Sequence, residues 1–539
     1  MVPFFVFFFS LVFHLTVNKI FILDFEEKTH IEKVMRTMHG DLPLRDFFRF
    51  TYAPGHYFLF AGLFWLFSPS LMIEQLAWTV LRALASLLMY WTARLFMPLR
   101  YALLPVLLIT VLPCSHWKAF YPFFTLLNLL FLSNLLADFS KKWIILSGLV
   151  TGLTLCFRQD LALIFGGTAA LFIILNSFES LKKRALSFRA RAKIFIFSNI
   201  KMLGLYSSMM LLPFLPLFVY YLSQGTAFVL LREMFLGHPV RHLRVCRAMP
   251  YHFPNIGRLF RWPLDLEVVF LWLPIGLFLA ILIIFMTRLF REKHFDVENR
   301  QISALVLIGI LVYNQTYFYA IFERLLESAA PIYLAFGFLI FRVHSKVRNE
   351  SSDSRSPRDA KHIISLAMLA LLFILPASFA YYGLTTKYTN ERLFARRHHD
   401  GLIISDTGIW LPKKWILKRI KYTGNFLRSK GSKHDLMLFL NGSLNYFIAD
   451  QKSLKSLELN VKPLTPESLK QDLEIVAPRF LAIEKTAFQT IYRFPSYLRK
   501  YLKAKYQFRI KKGVYYIHEK KAAASSSGGY LTNAECIIK

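Results

Sequence analysis

Apolar runs of bilayer-spanning length recur through the first 385 residues, with long runs ending near 23, 97, 137, 176, 222, 287, 317, 341 and 384. A helix needs about 20 such residues to cross a hydrocarbon core, and a backbone in lipid must satisfy its own polar groups, which a helix does. Shorter apolar segments occupy 55 to 68, 101 to 113 and 143 to 156. At 55% hydrophobic and 16% aromatic, with a mean hydropathy of +0.41, the chain carries more apolar surface than a soluble protein of this length hides. The pattern specifies a polytopic α-helical membrane protein of 11 to 13 spans, occupying residues 1–385.

Charge sets the orientation. Of the net +33, much falls in short loops and in the tail, which is the distribution of membrane topology rather than of a nucleic-acid binder. Segment 181 to 201 carries Lys182, Lys183, Arg184, Arg189, Arg191, Lys193 and Lys201, and segments 288 to 300 and 342 to 361 are similarly basic. Placing all three in the cytoplasm sends 223 to 265, 318 to 324 and everything from Thr385 outward. The run Val2 to Leu23 lacks a basic leader and a small-residue cleavage site, so it is expected to be retained as the first span. With the N-terminus inside, residues 24–52 form an outer loop and the number of crossings must be odd. Tyr57 to Phe67 is only about two-thirds of a span, so either it is re-entrant or another segment crosses twice.

Residues 386–521 change to a mixed, charged composition, with strand-like runs Asp435 to Leu440, Phe480 to Glu484 and Gly513 to Ile517. They are expected to form a soluble exoplasmic α/β domain, followed by a disordered tail over 522–539. Four scattered cysteines support neither a disulfide framework nor a zinc site.

The chemistry-bearing residues concentrate outside. The loop after the first span holds six carboxylates in 23 residues, among them Asp24, Glu26, Glu27 and Asp46. In a helix Glu26 and His30 share a face. Such a cluster suits general-base work on a hydroxyl, or a divalent cation held by hard oxygens; a solvated helix lying on the bilayer would carry the same carboxylates. Outward arginines, including Arg241, Arg244 and Arg324, run against the positive-inside trend. They are suited to a phosphate that gains charge, or to lipid headgroups. Arg158 and Asp160 stand at a span boundary, where they serve either a site or simply each other as a pair. His116, Trp117 and Lys118 read as an interfacial anchor.

The acidic residues at the outer end of the first span, then His30, Gly40-x-x-Pro43-x-Arg45-Asp46-Phe47, Pro54-Gly55 and an aromatic run, together resemble the GT-C class of glycosyltransferases. These are the relatives of lipid A aminoarabinose transferase and protein O-mannosyltransferases. Phe157-Arg-Gln-Asp160, the Arg324 loop and the tail extend the resemblance over nearly the whole chain.

The resemblance implies an enzyme of a bacterial-type cytoplasmic membrane. It would move a sugar from a polyprenyl-phosphate donor to a hydroxyl of a lipid, glycan or protein outside. Asp24, Glu26, Glu27 and Asp46 would be the acidic residues at the reacting centre, with His30, Arg158, Arg241, Arg244 and Arg324 toward the donor phosphate. A metal is neither assigned nor required. Where relatives carry Asp-Glu, counting back from His30 finds Glu26-Glu27. A transporter or flippase of lipid-linked sugars, or a catalytically silent scaffold, are the rival readings. Transporters concentrate ionisable groups within spans and show repeats, whereas here the groups fall in outer loops.

Overall fold

The computed structural model describes residues 1–17, 25–38, 40–46, 52–68, 71–112, 118–182, 188–237, 266–292, 296–318, 322–353, scattered positions from 374 to 381, and 403–404, 410–411, 437–440, 480–484, 496–512 and 515–520. The chain divides into two units: Met1–His30 with Asp41–Lys413, and Ile31–Gly40 with Lys414–Lys539.

The first unit is a helical bundle. Its helices are α1 (Val2–Val17), the start of α2 (Phe25–Met38), α3 (Gly55–Phe67), α4 (Leu71–Phe96), α5 (Leu99–Val111), α6 (Phe120–Ala137), α7 (Lys141–Phe157), α8 (Gln159–Lys182) and α9 (Phe188–Leu211). They continue as α10 (Leu215–Ser223), α11 (Ala227–Arg232) with a π turn (Glu233–Gly237), α12 (Leu266–Glu292), α13 (Val297–Phe318), α14 (Phe322–Glu327) and α15 (Ala329–Asp353). Five stretches among the described residues are long and apolar enough to cross a membrane: Ile73–Phe96, Phe120–Ala137, Gln159–Phe178, Ile194–Leu211 and Val268–Thr287. Large apolar side chains such as Phe4, Leu163, Phe197 and Ile283 stand on its exterior, as lipid contact requires and water discourages. The chain is a multi-pass membrane protein.

In lipid, apolar burial drives helix association weakly, so close backbone approach and buried hydroxyls matter more. Both are present. A Cβ at Gly152 would stand 2.0 Å from the Met210 carbonyl oxygen, and one at Gly148 would stand 2.7 Å from that of Tyr206. These glycines, one turn apart, let α7 and α9 touch. The Thr151 hydroxyl contacts both Asn128 and Tyr206 there, at 3.1 and 2.8 Å. Across α1, α4 and α5 a ladder of hydroxyls runs from Ser10 to Ser86 (2.9 Å) and from Ser86 to Thr110 (3.0 Å).

Side-chain contacts sort the helix termini into two ends. At one end, Tyr101 meets His344 at 2.5 Å, Arg300 donates to Asn176 at 3.2 Å, Gln301 donates to the Ser133 carbonyl at 2.9 Å, and Arg342 pairs with Glu298. The basic segments begin or end here. At the other end stand His30, Glu74, Lys118, Arg158, Tyr221 and Glu327, joined by the contacts described below. Shorter apolar runs among the described residues are Val2–Thr16, Gly55–Phe67, Leu99–Val111 and Ala329–Ser345. His30 lies against His56 and Tyr57 at the start of α3 and against Glu74 and Trp78 at the start of α4, so α3 and α4 begin at the same end.

The first unit also holds a short ribbon, β1 (Ile403–Ile404) against β2 (Trp410–Leu411). In the second unit the described residues include a four-stranded sheet of order β3-β4-β6-β5. Its strands are β3 (Met437–Leu440), β4 (Phe480–Glu484), β5 (Tyr506–Lys512) and β6 (Tyr515–Lys520). Leu438 pairs with Leu481 in the one parallel ladder, and β6 runs antiparallel to both β4 and β5. Helix α16 (Ser496–Lys505) leads directly into β5. The expected span 363 to 384 and the tail 522–539 lie largely or wholly outside the described residues.

Candidate active site

The acidic loop is built around Leu44, which is fully buried at φ +66°. A left-handed conformation costs a residue with a Cβ roughly 1–2 kcal/mol, and burying a leucine returns about 1.5–3 kcal/mol. Leu44 packs with Ala53, Leu155, Cys156, Tyr221 and Leu230, so burial wins. Two polar devices close the turn. Asp46 Oδ2 accepts the Leu42 N–H at 2.8 Å while Arg45 forks onto both carboxylate oxygens at 3.0 and 2.6 Å. The Tyr221 hydroxyl donates to the Pro43 carbonyl at 2.6 Å. The hydrogen bonds that Arg45 donates to Asp46 hold its guanidinium above the ordinary pKa.

Beside this loop, α7 ends at Phe157 and α8 begins at Gln159, leaving Arg158 as the hinge. Asp160 falls in the first turn of α8, where the helix dipole favours a carboxylate. Arg158 grips it with two bonds, Nε to Oδ1 at 3.1 Å and Nη2 to Oδ2 at 2.8 Å. The same guanidinium lies over the rings of Tyr52 at 3.6 Å and Tyr121 at 4.2 Å. Burial works to lower the Arg158 pKa, but Asp160 and the tyrosines outweigh it and raise the value. Gln159 Oε1 accepts the Ala53 N–H at 2.7 Å. Gly55 is required here, because a Cβ would meet the Cys156 carbonyl oxygen at 2.5 Å. The Arg-Gln-Asp junction thus clamps the chain as it enters α3.

A third cluster joins α2, α3 and α4. His30 Nδ1 lies 2.8 Å from Glu74 Oε1, and both side chains are almost fully buried. Trp78 Nε1 donates to the same oxygen at 3.3 Å. The His30 ring is walled by His56, Tyr57, Phe60 and Trp78 at 5.3 to 5.5 Å between centroids. Its Nε2 is buried with no hydrogen-bond partner among the described residues.

Lys118, expected as an interfacial anchor, is instead 4% exposed and paired with buried Glu327 at the end of α14. An ammonium this far from water requires such a partner. Arg45, Lys118 and Arg158 are therefore each matched by a carboxylate: Asp46, Glu327 and Asp160.

Of the residues singled out from sequence, the structure brings His30, Asp46 and Arg158 to one end of the bundle. Glu26 and Glu27 lie in the first turn of α2, with position 26 one turn before His30, and Arg324 lies on α14 one turn before Glu327. The side chains of these three, and Asp24, Arg241, Arg244, His116 and Trp117 entirely, lie outside the described residues. Sequence reasoning passed over Glu74, Tyr121 and Tyr221, and held Gln159 only as the middle of the Phe157-Arg-Gln-Asp160 element. Glu74 had a signal: an ionisable group in the first turn of an apolar helix seldom lacks a partner. Among the described residues, no three His, Cys, Asp or Glu side chains stand close enough to hold a metal ion.

In fold, this arrangement of helices is similar to solved glycosyltransferase structures. ArnT from Cupriavidus metallidurans in the apo state superposes with a TM-score of 0.51 at 12% identity, over 98% of this chain and 99% of that one. ArnT from the same organism bound to undecaprenyl phosphate gives 0.48 at 12% identity, over 98% of each chain. The archaeal oligosaccharyltransferase AglB from Archaeoglobus fulgidus, in complex with an inhibitory peptide and a dolichol-phosphate, gives 0.49 at 12% identity, over 96% of this chain and 74% of that one. No family model and no curated protein matches the sequence.

Proposed function

We propose that this protein transfers a sugar from a polyprenyl-phosphate donor to a hydroxyl acceptor at the outer face of a cytoplasmic-type membrane. The observation that carries the reading is convergence: the acidic first loop, the Arg158 junction, Lys118 and Glu327 meet at the end of the bundle opposite the basic segments. By the positive-inside rule the basic end is cytoplasmic, and the acidic end is exoplasmic. Taking α1, α4 to α9, α12, α13 and α15 and the expected span 363 to 384 as crossings makes eleven, a number that would carry residues 386–521 outward. The polyprenyl chain lies along the apolar exterior and presents its phosphate at the acidic end.

In the transfer, the acceptor oxygen bonds to the anomeric carbon and the bond from that carbon to the phosphate oxygen breaks. The acceptor proton passes to a carboxylate, for which Asp24 and Glu26 are the candidates, with Glu27 beside them. Asp46 orients the loop through Leu42 and Arg45. The departing lipid phosphate needs fixed positive charge. Because Arg45, Lys118 and Arg158 already answer to carboxylates, that charge falls to Arg241, Arg244 and Arg324.

Purified protein incubated with labelled polyprenyl-phosphate sugar and a panel of lipid, glycan and protein acceptors tests the reading. Label moves to an acceptor in the wild type and remains on the carrier in Asp24→Asn or Glu26→Gln. Full activity in both variants and in their combination would reject the catalytic assignment; wild-type label that never leaves the carrier would favour transport.

A further inference from the structure

The His30–Glu74 pair is an expensive way to fill an aromatic box. Two ionisable side chains are withdrawn from water for one 2.8 Å bond, and His30 Nε2 is left without a hydrogen-bond partner among the described residues. An unsatisfied buried nitrogen costs roughly 1–3 kcal/mol, and an apolar ring would avoid that cost. What the pair supplies is direction. The bond and the four flanking rings fix the imidazole about its own axis and fix its distance from α4, so the helix carrying it cannot rotate without breaking the contact. Positions 26 and 30 are one turn apart on α2, and residues so spaced share a helix face. The angular setting of the acidic first turn is therefore set from α4, 44 residues downstream.

We infer that His30 and Glu74 are positioning residues for the acidic pair Glu26-Glu27, acting through the rotation of the first turn of α2. The inference rests on the transfer reading for its catalytic consequence, though not for its geometry. Near-attack geometry loses about 100-fold in rate for a displacement near 1 Å. Glu74→Ala should therefore lower kcat by about that factor while leaving KM for the labelled polyprenyl-phosphate sugar within about threefold. Glu74→Gln keeps an oxygen to accept from Nδ1 and Trp78, and should recover most of the loss. The pair His30→Phe with Glu74→Gln keeps the box filled and uncharged. It should melt within a few degrees of wild type, yet still show the low kcat.

A nitroxide attached at Glu26→Cys, in a background lacking the four native cysteines, reads the geometry without activity. Its spectrum should broaden into a mobile component with Glu74→Ala and return toward the parent with Glu74→Gln. An unchanged spectrum with Glu74→Ala, or a low kcat that tracks loss of folded protein and is absent from the His30→Phe, Glu74→Gln pair, would overturn the inference. Should wild type transfer no sugar, the transfer reading falls and the nitroxide alone decides this one.

Discussion

The Tyr221 hydroxyl reaches back 178 positions to donate to the Pro43 carbonyl at 2.6 Å, so α10 props the turn that carries Asp46. The carbonyl belongs to a buried residue, and losing its donor leaves it unsatisfied at a cost of about 1–3 kcal/mol. Tyr221→Phe, which keeps the packing, should lower stability within that range. Hydrogen exchange in a peptide covering 40 to 46 should rise, and exchange in α6 should stay at the wild-type level. Equal protection of the turn in both proteins would show that Leu44 packing alone maintains it.

Arg158 is nearly fully buried, and Asp160 is its bonded counter-charge. Breaking one side of such a pair costs about 3–5 kcal/mol, because a charge is stranded. Asp160→Asn should therefore lower the melting temperature sharply, while Arg158→Met with Asp160→Leu should lose much less. Lysine at 158 keeps charge but loses both the fork and the planar stacking on Tyr52 and Tyr121, so Arg158→Lys should fall between them. Thermal melts in a single detergent rank the three.

Much of the bundle is legible in the sequence because lipid imposes one rule everywhere: an apolar run of sufficient length makes a helix. The apolar run Tyr57 to Phe67 shows the rule at work, forming α3 (Gly55–Phe67). The pairings at the acidic end are a different matter. Glu74 and His30 are 44 residues apart, and Lys118 and Glu327 are 209 apart; which helix faces which is settled by packing shape, through contacts such as Gly152 against Met210. Lys118 beside Trp117 has the local signature of an interfacial anchor, and only the tertiary position of Glu327 makes it a buried ion pair. In the second unit, β5 carries three basic residues in seven, which hid it from a search for apolar alternation.

The Lys118–Glu327 pair joins the start of α6 to the end of α14, the helix that also carries Arg324. Glu327→Ala strands the ammonium, and transfer should fall along with stability. Exchanging the two, Lys118→Glu with Glu327→Lys, restores opposite charges across the same gap and should recover more than half of the lost melting temperature. Equal melting of Glu327→Ala and the exchanged pair would show that the contact contributes by shape alone.

Topology is open to a direct measurement. Gln224 is exposed just beyond Tyr221, at the acidic end, and Asp138 is exposed between α6 and α7, at the basic end. If the basic end is cytoplasmic, a cysteine at 224 reacts with a membrane-impermeant maleimide added to intact cells, and a cysteine at 138 reacts only after the membrane is opened. Helices α6 and α7 join beside Gln301 and Ser133, and the Tyr221 to Pro43 bond holds α10 with the acidic loop. Labelling of 138 from outside would invert the whole bundle. It would place the acidic carboxylates in the cytoplasm, where an exoplasmic acceptor is out of their reach.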